Sequence, residues 1–189
     1  ANCIFCIFIF SGEKNIEANS AQIFTFSPQD NKALLKAAIR SDDPVIYLEH
    51  KNLWNLKGEI NDDEEVEIGQ ARILQTGTDV TIISWSAMAL KCVESAKELA
   101  NNNISAEVID LRTLWPWDKK TVFDSIRKTK NAIIVHEAVR VSGFGAEISA
   151  TITEKMFTQL KLPPLRLGAP RIPISYAPSL ENEVKITAA

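Results

Sequence analysis

Short apolar runs alternate with helix-like segments along most of the chain. The first run, at residues 23–26, precedes Ser27 and Pro28, a residue pair typical of a helix start. Apolar residues then recur at helical spacing as far as Ile39, and a second apolar run follows at residues 45–48. This order predicts a strand, a helix and a second strand parallel to the first.

The same alternation returns after residue 71. Helices are predicted from residue 87 to 101, after a cap at Asp118, and from Ala146 to about Leu160. Strands are predicted at residues 80–84, 105–110, 132–135 and 164–167. Strands that alternate with helices are typical of a parallel sheet with right-handed crossovers, so the pattern predicts an α/β fold.

An acidic segment separates the two alternating stretches. Residues 59–67 carry six carboxylates and no basic side chain, between Gly58 and Gly69. We interpret this segment as a solvated connection and expect two unequal sheets, with the break between His50 and Gly69. At the two ends of the chain, residues 4–10 predict a buried strand and residues 180–189 the start of a helix.

Composition and charge exclude several classes of protein. The chain has 189 residues, of which 46% are hydrophobic and 24% charged, as expected of a packed domain. The formal net charge of −3 argues against a general nucleic-acid binder. The apolar run at residues 4–10 is too short to span a bilayer, so we expect no membrane partner. Three cysteines, an odd number, argue against a disulfide framework, so we expect a reducing compartment.

His136 and the glycines after it are the first candidates for chemistry. His136 follows the predicted strand at residues 132–135, and such strand ends face ligands in parallel sheets. Its imidazole is able to act as a general acid or base, but no nucleophile pattern accompanies it, which favours an interface or structural role. Gly143 and Gly145 precede a helix without the third glycine of a dinucleotide site, which favours close packing over anion binding.

Large aromatic side chains mark a second candidate region. Trp115 and Trp117 flank a proline after a predicted strand, and such residues often anchor a domain or subunit contact. Packing inside the chain's own core remains an equal alternative. We expect Trp115, Trp117, His136 and Phe144 at interfaces, because the loops that carry them converge on one rim of the sheet.

Several blocks of the sequence resemble a known family in their residues and not only in their spacing. They are DVTIIS at 79–84, AEVIDLRTL at 106–114, VHEA at 135–138 and GFGAEI at 143–148, with further blocks at 36–40, 44–49, 68–71 and 173–181. Together they resemble the β-subunits of thiamine-diphosphate-dependent 2-oxo acid dehydrogenases over about residues 23–184. The pyruvate dehydrogenases of the αβ type are most similar, and the acetoin and branched-chain enzymes are nearly as similar.

The resemblance implies an architecture. Residues 1–66 correspond to the tail of a pyrimidine-binding α/β domain with an acidic linker, and residues 67–189 to a parallel-sheet transketolase C-terminal-like domain. Nothing in the sequence matches the family's cofactor-activating glutamate or its acyl-transfer histidine. We therefore expect no catalytic and no cofactor-binding residue in this chain, with His136 as the one weak catalytic candidate.

The resemblance also implies a function. It is oxidative decarboxylation of pyruvate on thiamine diphosphate with Mg, followed by acyl transfer to a lipoyl group. The β-subunit of an acetoin or of a branched-chain 2-oxo acid dehydrogenase is the alternative. The chain would supply subunit interfaces to an α-subunit and a second β-subunit and a docking surface for the lipoyl acyltransferase core. The compartment would be the bacterial cytoplasm or the mitochondrial matrix. A docking module without turnover is the alternative of another class.

A potassium ion is the last element that the resemblance implies. The family binds this ion in a turn that corresponds to residues 38–43, through backbone carbonyls and short polar side chains. Ala38, Ser41 and Asp43 are the candidate ligands here. Ser41 stands where the family usually has Asp, and Asp42 is placed to compensate; a plain turn at the end of a helix is the alternative.

Overall fold

The computed structural model describes the backbone of residues 4–9 and all atoms of residues 20–187. Its helices are α1 (Pro28–Arg40), α2 (Ala87–Asn101), α3 (Lys119–Thr129), α4 (Phe144–Met156) and α5 (Pro178–Val184). Its strands are β1 (Ile4–Ile9), β2 (Ala21–Phe24), β3 (Val45–His50), β4 (Arg72–Gln75), β5 (Val80–Ser84), β6 (Ala106–Asp110), β7 (Thr113–Trp115), β8 (Ala132–Val139) and β9 (Leu165–Ala169). The strands form one four-stranded and one five-stranded sheet.

The four-stranded sheet has the order β1-β3-β2-β7. β2 and β3 run parallel and are connected by α1, as the sequence predicts, whereas β1 and β7 join the two edges antiparallel. α1 begins where expected, because the Ser27 side chain accepts the backbone N–H of Asp30 at 3.1 Å and Pro28 occupies the first turn. Ile23, Leu34 and Tyr47 are fully buried between the helix and the strands.

The five-stranded sheet has the order β4-β6-β5-β8-β9. Its last four strands are parallel, and β4 is an antiparallel edge. Apolar residues of β5, β6 and β8 face α2 on one side and α3 with α4 on the other, which explains why β5 and β6 are buried along their full length. The parallel sheet with helical crossovers predicted from the sequence is therefore present.

The sequence pattern does not predict β4 or β7, and β7 changes the organisation of the chain. After β6 the backbone turns at Arg112, which has the left-handed φ of 58°, and β7 leaves the second sheet to pair with β2 of the first. The pairing places Thr113 opposite Ile23 and Trp115 opposite Gln22. A strand of three residues is too short to show a period-two pattern, which is why it escaped the sequence analysis.

Strand boundaries differ from expectation in several places; the second strand, for example, continues to His50. The first strand is Ala21–Phe24 instead of residues 23–26, the strand predicted at 132–135 continues to Val139, and the last strand is Leu165–Ala169. The extension of β8 matters for function, because it makes His136 and Glu137 part of the strand itself.

The acidic connection lies along the first helix. Residues 54–63 are exposed, and the segment after residue 60 is held against α1. Asn61 exchanges two hydrogen bonds with the Gln29 side chain, and Lys32 forms an ion pair with Asp62. Residues 55–60 form no hydrogen bond or ion pair with an α1 side chain among the described residues.

We expect limited proteolysis to cut the exposed segment first. Trypsin should cleave after Lys57, because this part of the segment has no helix or strand and is not pinned to α1. The Lys57→Gln variant should lose this early cut and keep the same unfolding midpoint. Mass spectrometry of the fragments provides the measurement. A first cut inside residues 80–135, with the segment still intact, would contradict the prediction.

Candidate functional site

The two sheets meet where β3 and β8 end. His50 is the last residue of β3, and its Nε2 lies 2.9 Å from Oε2 of Glu137 on β8. The His50 Nδ1 accepts the backbone N–H of Asn52 at 3.3 Å, so Nε2 carries the ring proton and donates it to the carboxylate. His50 is almost fully buried. The sequence analysis missed this pair, because its members are 87 residues apart in the chain.

An aromatic cluster lies beside this pair at the same edge of the second sheet. The His136 ring stacks on Trp85, with centroids 5.5 Å apart and an angle of 8° between the planes. Phe144 packs edge-on against the same indole at 6.4 Å. Two of the four predicted interface residues therefore come together around Trp85. The sequence analysis did not single out Trp85, although its position directly after β5 indicated this edge.

Three glycines surround the His136 ring. A Cβ atom placed on Gly143 would lie 2.6 Å from the ring Cε1, one on Gly145 would lie 2.5 Å from Cδ2, and one on Gly168 would lie 3.0 Å from Cε1. Real side chains essentially never approach so closely. The glycines are thus needed for the ring to occupy this place, in agreement with the packing interpretation of Gly143 and Gly145.

The environment of His136 does not suit acid–base catalysis. The side chain is 1% exposed, and neither ring nitrogen has a hydrogen-bond partner among the described residues. Burial holds the pKa of His136 below its usual value, and the positive charge of Arg166 acts in the same direction. A general acid or base must come within hydrogen-bond reach of its substrate, so this geometry favours a structural role.

The two tryptophans of the Trp-Pro-Trp loop have different environments. Trp117 is 5% exposed, and it packs edge-on against Phe123 at 6.1 Å with Lys119 Nζ over its ring at 5.6 Å. Trp115 is 44% exposed. Burial favours the core alternative for Trp117. Contact with a partner stays a prediction for the exposed Trp115 and the half-buried Phe144, and burial inside the chain weighs against it for Trp117 and His136.

The turn proposed for potassium is closed by its own hydrogen bonds. The Ser41 N–H donates to the Ala38 carbonyl at 3.3 Å, and the Asp43 N–H donates to the Ser41 hydroxyl at 3.2 Å. Both oxygens thus cap the end of α1, as in the plain-turn alternative. No group of three or more His, Cys, Asp or Glu side chains suited to a metal ion occurs among the described residues. Potassium at this turn stays a prediction.

A group of charges lies between the two sheets; we call it the seam, and it consists of the buried Asp30, Asp110 and Arg112 with the partly exposed Arg72. Asp30 in the first turn of α1 is fully buried. Its Oδ1 lies 3.3 Å from Nε of Arg112 and 3.4 Å from Nη1 of Arg72, and its Oδ2 accepts the Ser27 hydroxyl at 2.7 Å. A helix of the first half is thus bound to arginines of the second.

Asp110 is the fourth member of the seam and ends β6. It is fully buried, and its Oδ1 accepts the backbone N–H of Arg112 at 3.1 Å, while its Oδ2 has no hydrogen-bond partner among the residues that the structure describes. Burial raises the pKa of Asp110 to about 7, and the Asp30 charge adds to this rise, while Arg112 and Arg72 oppose it.

Two open clefts lie at the edge of the first sheet. The larger, of about 510 Å³, is located beside the ends of β2 and β3, and the smaller, of about 360 Å³, adjoins Arg72. In the larger cleft the Asn31 amide already bonds Glu49 and the Tyr47 hydroxyl, and His50 bonds Glu137. The polar groups of this cleft are therefore engaged within the chain.

Within residues 4–9 and 20–187, no helix combines the length and the apolar composition needed to cross a bilayer.

Comparison with protein families identifies the second half of the chain. The family model described as "Transketolase, C-terminal domain" matches residues 69–189. Among solved structures, a split-gene transketolase described as an inactive beta4 tetramer superimposes with a TM-score of 0.74 at 25% sequence identity. The match covers 90% of this chain and 54% of that chain. The predicted fold class is therefore confirmed.

Curated relatives extend the similarity into the first half. The chain is 42% identical over 166 residues to the mitochondrial pyruvate dehydrogenase E1 component subunit beta of Dictyostelium discoideum, covering 85% of this chain and 47% of the relative. It is 40% identical to the Bacillus subtilis pyruvate dehydrogenase E1 component subunit beta, covering 82% and 49%.

An acetoin enzyme is similar to almost the same degree. The acetoin:2,6-dichlorophenolindophenol oxidoreductase subunit beta of Cupriavidus necator is 38% identical, covering 82% of this chain and 46% of the relative. The resemblance to the β-subunits is thus confirmed, and the chain spans about half the length of the relatives it matches.

The two tryptophans should respond differently to truncation. We expect Trp117→Ala to lower the free energy of unfolding by about 3–5 kcal/mol, because it removes a buried ring from the core. Trp115→Ala should cost less than about 1 kcal/mol, because nearly half of that side chain is already exposed. Chemical denaturation of both variants is the measurement. Equal losses would show that Trp115 is also held by the core.

Gly145 should not tolerate alanine, although alanine normally strengthens a helix. We expect Gly145→Ala to destabilise the chain by about 1–3 kcal/mol, because the new methyl group overlaps the His136 ring. Gly58→Ala is the control, since its nearest contact would be an ordinary 3.4 Å from Pro28.

A double variant tests the cause of this loss. In a His136→Ala background, Gly145→Ala should leave the free energy of unfolding unchanged or raise it, because the ring that the new methyl group would overlap is absent. The same loss in both backgrounds would contradict the role of the His136 ring.

Proposed function

The chain belongs to the family of transketolase C-terminal domains, and we propose that it acts as part of the β-subunit of a 2-oxo acid dehydrogenase, with pyruvate as the substrate of the assembly. The observation that carries this proposal is the extent of the similarity. At 40–42% identity it covers 82–85% of the chain and so reaches beyond the family domain at residues 69–189. On this basis we propose that residues 1–66 are the end of a pyrimidine-binding domain with its linker, and that residues 67–189 are the C-terminal domain.

We propose that the assembly decarboxylates pyruvate oxidatively and transfers the acyl group to a lipoyl group. Thiamine diphosphate with Mg, bound by the assembly, supplies stabilisation of the carbanion. The described residues do not fit a site for this cofactor. They contain no cluster of three or more His, Cys, Asp or Glu side chains that could hold the metal ion, and the polar side chains of the larger cleft already pair with each other or with Glu137. We therefore assign no step of the cofactor's chemistry to this chain.

The contribution of the chain is a rigid frame and a contact surface. The seam and the His50–Glu137 pair hold the two sheets in one arrangement. Outside this frame, residues 162–180 expose many apolar side chains, of which Tyr176 is fully exposed within the described part of the chain. The others are Leu162, Leu165, Leu167, Ile172, Ile174 and Leu180. Apolar surface of this extent is typical of protein–protein contacts.

We propose an α-subunit, a second β-subunit and the lipoyl acyltransferase core as the partners of this surface. The neighbouring structure described as a beta4 tetramer supports contacts between copies of such chains. The exposed β9 edge and Trp115 are the places where we expect those contacts. A docking module without turnover would use the same surface, so the apolar segment alone does not separate these two functions.

The acetoin enzyme remains the second candidate, because the chain is 38% identical to its β-subunit. A branched-chain 2-oxo acid is the third. For the compartment we propose the bacterial cytoplasm or the mitochondrial matrix; a relative from Arabidopsis thaliana is described as chloroplastic, which adds an organelle that the sequence analysis did not consider.

Reconstitution with a split β-subunit tests the proposal. The chain is produced with the Bacillus subtilis α-subunit and with the N-terminal half of the B. subtilis β-subunit, the half that this chain does not cover. We expect pyruvate-dependent acetylation of a lipoyl domain only when all three polypeptides are present, and no micromolar binding of thiamine diphosphate to the chain alone by calorimetry.

Assays with other substrates and with a surface variant make the test more specific. Acetoin and branched-chain 2-oxo acids replace pyruvate in parallel assays. Leu165→Asp on the exposed edge should abolish assembly without lowering the unfolding midpoint of the chain, because half of that side chain is in solvent. Micromolar cofactor binding by the chain alone, or a failure to associate with either partner, would contradict the proposal.

A further inference from the structure

We propose that the folded chain keeps Asp110 as the neutral acid, and that its ionisation loosens the seam between the two sheets. The strength of the contact between the two sheets would then depend on the pH. Three observations carry this inference: the unpartnered oxygen of Asp110, the distribution of charge around it, and its connection to the strand that joins the sheets.

The first observation is the environment of the carboxyl group. Asp110 is fully buried at the end of β6, and no hydrogen-bond partner of its Oδ2 occurs in the described part of the chain. A buried carboxylate is stable only when donors or counter-charges satisfy both oxygens, because its charge has lost the hydration that it has in water. The neutral acid carries no charge and avoids most of this cost.

The second observation is the distribution of the two arginines. Asp30 on α1 lies within ion-pair distance of both Arg112 and Arg72 through one oxygen, at 3.3 and 3.4 Å. Asp110 receives only the backbone N–H of Arg112. The remaining titratable neighbour is the buried thiol of Cys92 on α2, whose pKa is raised to about 11, first by burial and also by Asp110. A charge on Asp110 therefore competes with Asp30 for the same guanidinium groups.

The third observation connects this competition to the joint between the sheets. The Arg112 carbonyl accepts the backbone N–H of Phe24 at 2.7 Å, and β7 begins one residue later and pairs with β2. When the Arg112 guanidinium moves from Asp30 toward Asp110, the backbone turn at Arg112 shifts with it, and this turn is bonded to β2 and leads into β7. Ionisation of Asp110 thus weakens the ion pair and the backbone contact that join the two halves.

The direction of the pH effect follows from the raised pKa of Asp110, from 3.8 to about 7. A carboxyl whose pKa is higher in the folded state stabilises the fold fully below the unfolded pKa, and this stabilisation is lost as the pH rises through the folded value. Glu107 behaves in the opposite way, because the Lys128 ammonium and the N–H of Gly77 hold its pKa low against the effect of burial. The stabilisation that Glu107 gives to the fold is therefore lost as the pH falls.

The test compares the unfolding equilibrium of the wild type with that of Asp110→Asn, which keeps the oxygen that accepts the Arg112 N–H. We expect the unfolding constant of the wild type to rise relative to that of the variant by about tenfold for each pH unit between about pH 5 and 7, and the ratio to be constant above about pH 8. Glu107→Gln is the control: the corresponding ratio should stay constant between about pH 5 and 8 and should change, in the opposite direction, only at lower pH. A ratio for Asp110→Asn that does not change with pH would overturn the proposal.

Two measurements on the wild type do not depend on the folding of a variant. Infrared difference spectra should show a protonated carboxyl that disappears as the pH rises through about 7. Hydrogen exchange, corrected for the intrinsic pH dependence, should show that the Phe24 amide loses protection over the same range. The absence of a protonated carboxyl near pH 6, where exposed carboxyls are ionised, or unchanged protection of Phe24, would overturn the proposal.

Discussion

The arrangement of the two sheets depends on the buried ion pair between Asp30 and Arg112. One partner begins the helix of the first sheet and the other forms the corner after β6, so the pair fixes α1 against the second sheet. Because both charges have left water, each needs the other, and the loss of either partner would leave an unpaired charge in the interior. The left-handed turn at Arg112 places this side chain and also directs β7 into the first sheet.

The strand ends of the second sheet carry side chains typical of an active site, but these side chains are used for packing. His136 stands where parallel sheets commonly bind ligands, but Trp85 and three glycines enclose its ring. His50 and Glu137 satisfy each other across the junction. The reactive side chains of this edge therefore hold the fold together, and the exposed apolar groups lie along β9 and the segment after it. This division agrees with the proposed role of the chain as part of a subunit.

The sequence predicted those features that depend on local chemistry. Ser27 and Pro28 marked the start of α1, Asp118 marked that of α3, and the apolar runs identified the parallel strands. It did not predict β7, whose three residues show no period, nor the seam, whose members come from α1, β4, the end of β6 and the turn after it. The Trp-Pro-Trp loop could not be resolved from the sequence either, because the burial of Trp117 and the exposure of Trp115 depend on strand pairing with distant residues.

A double-mutant cycle on Asp30→Asn and Arg112→Gln, followed by equilibrium unfolding, tests the central claim that this pair joins the two sheets into one cooperative unit. The account predicts a coupling energy above about 1 kcal/mol, with one unfolding transition in the wild type and separate transitions for the two halves in the single variants. A coupling energy below about 0.3 kcal/mol, with the same single transition in every variant, would contradict it.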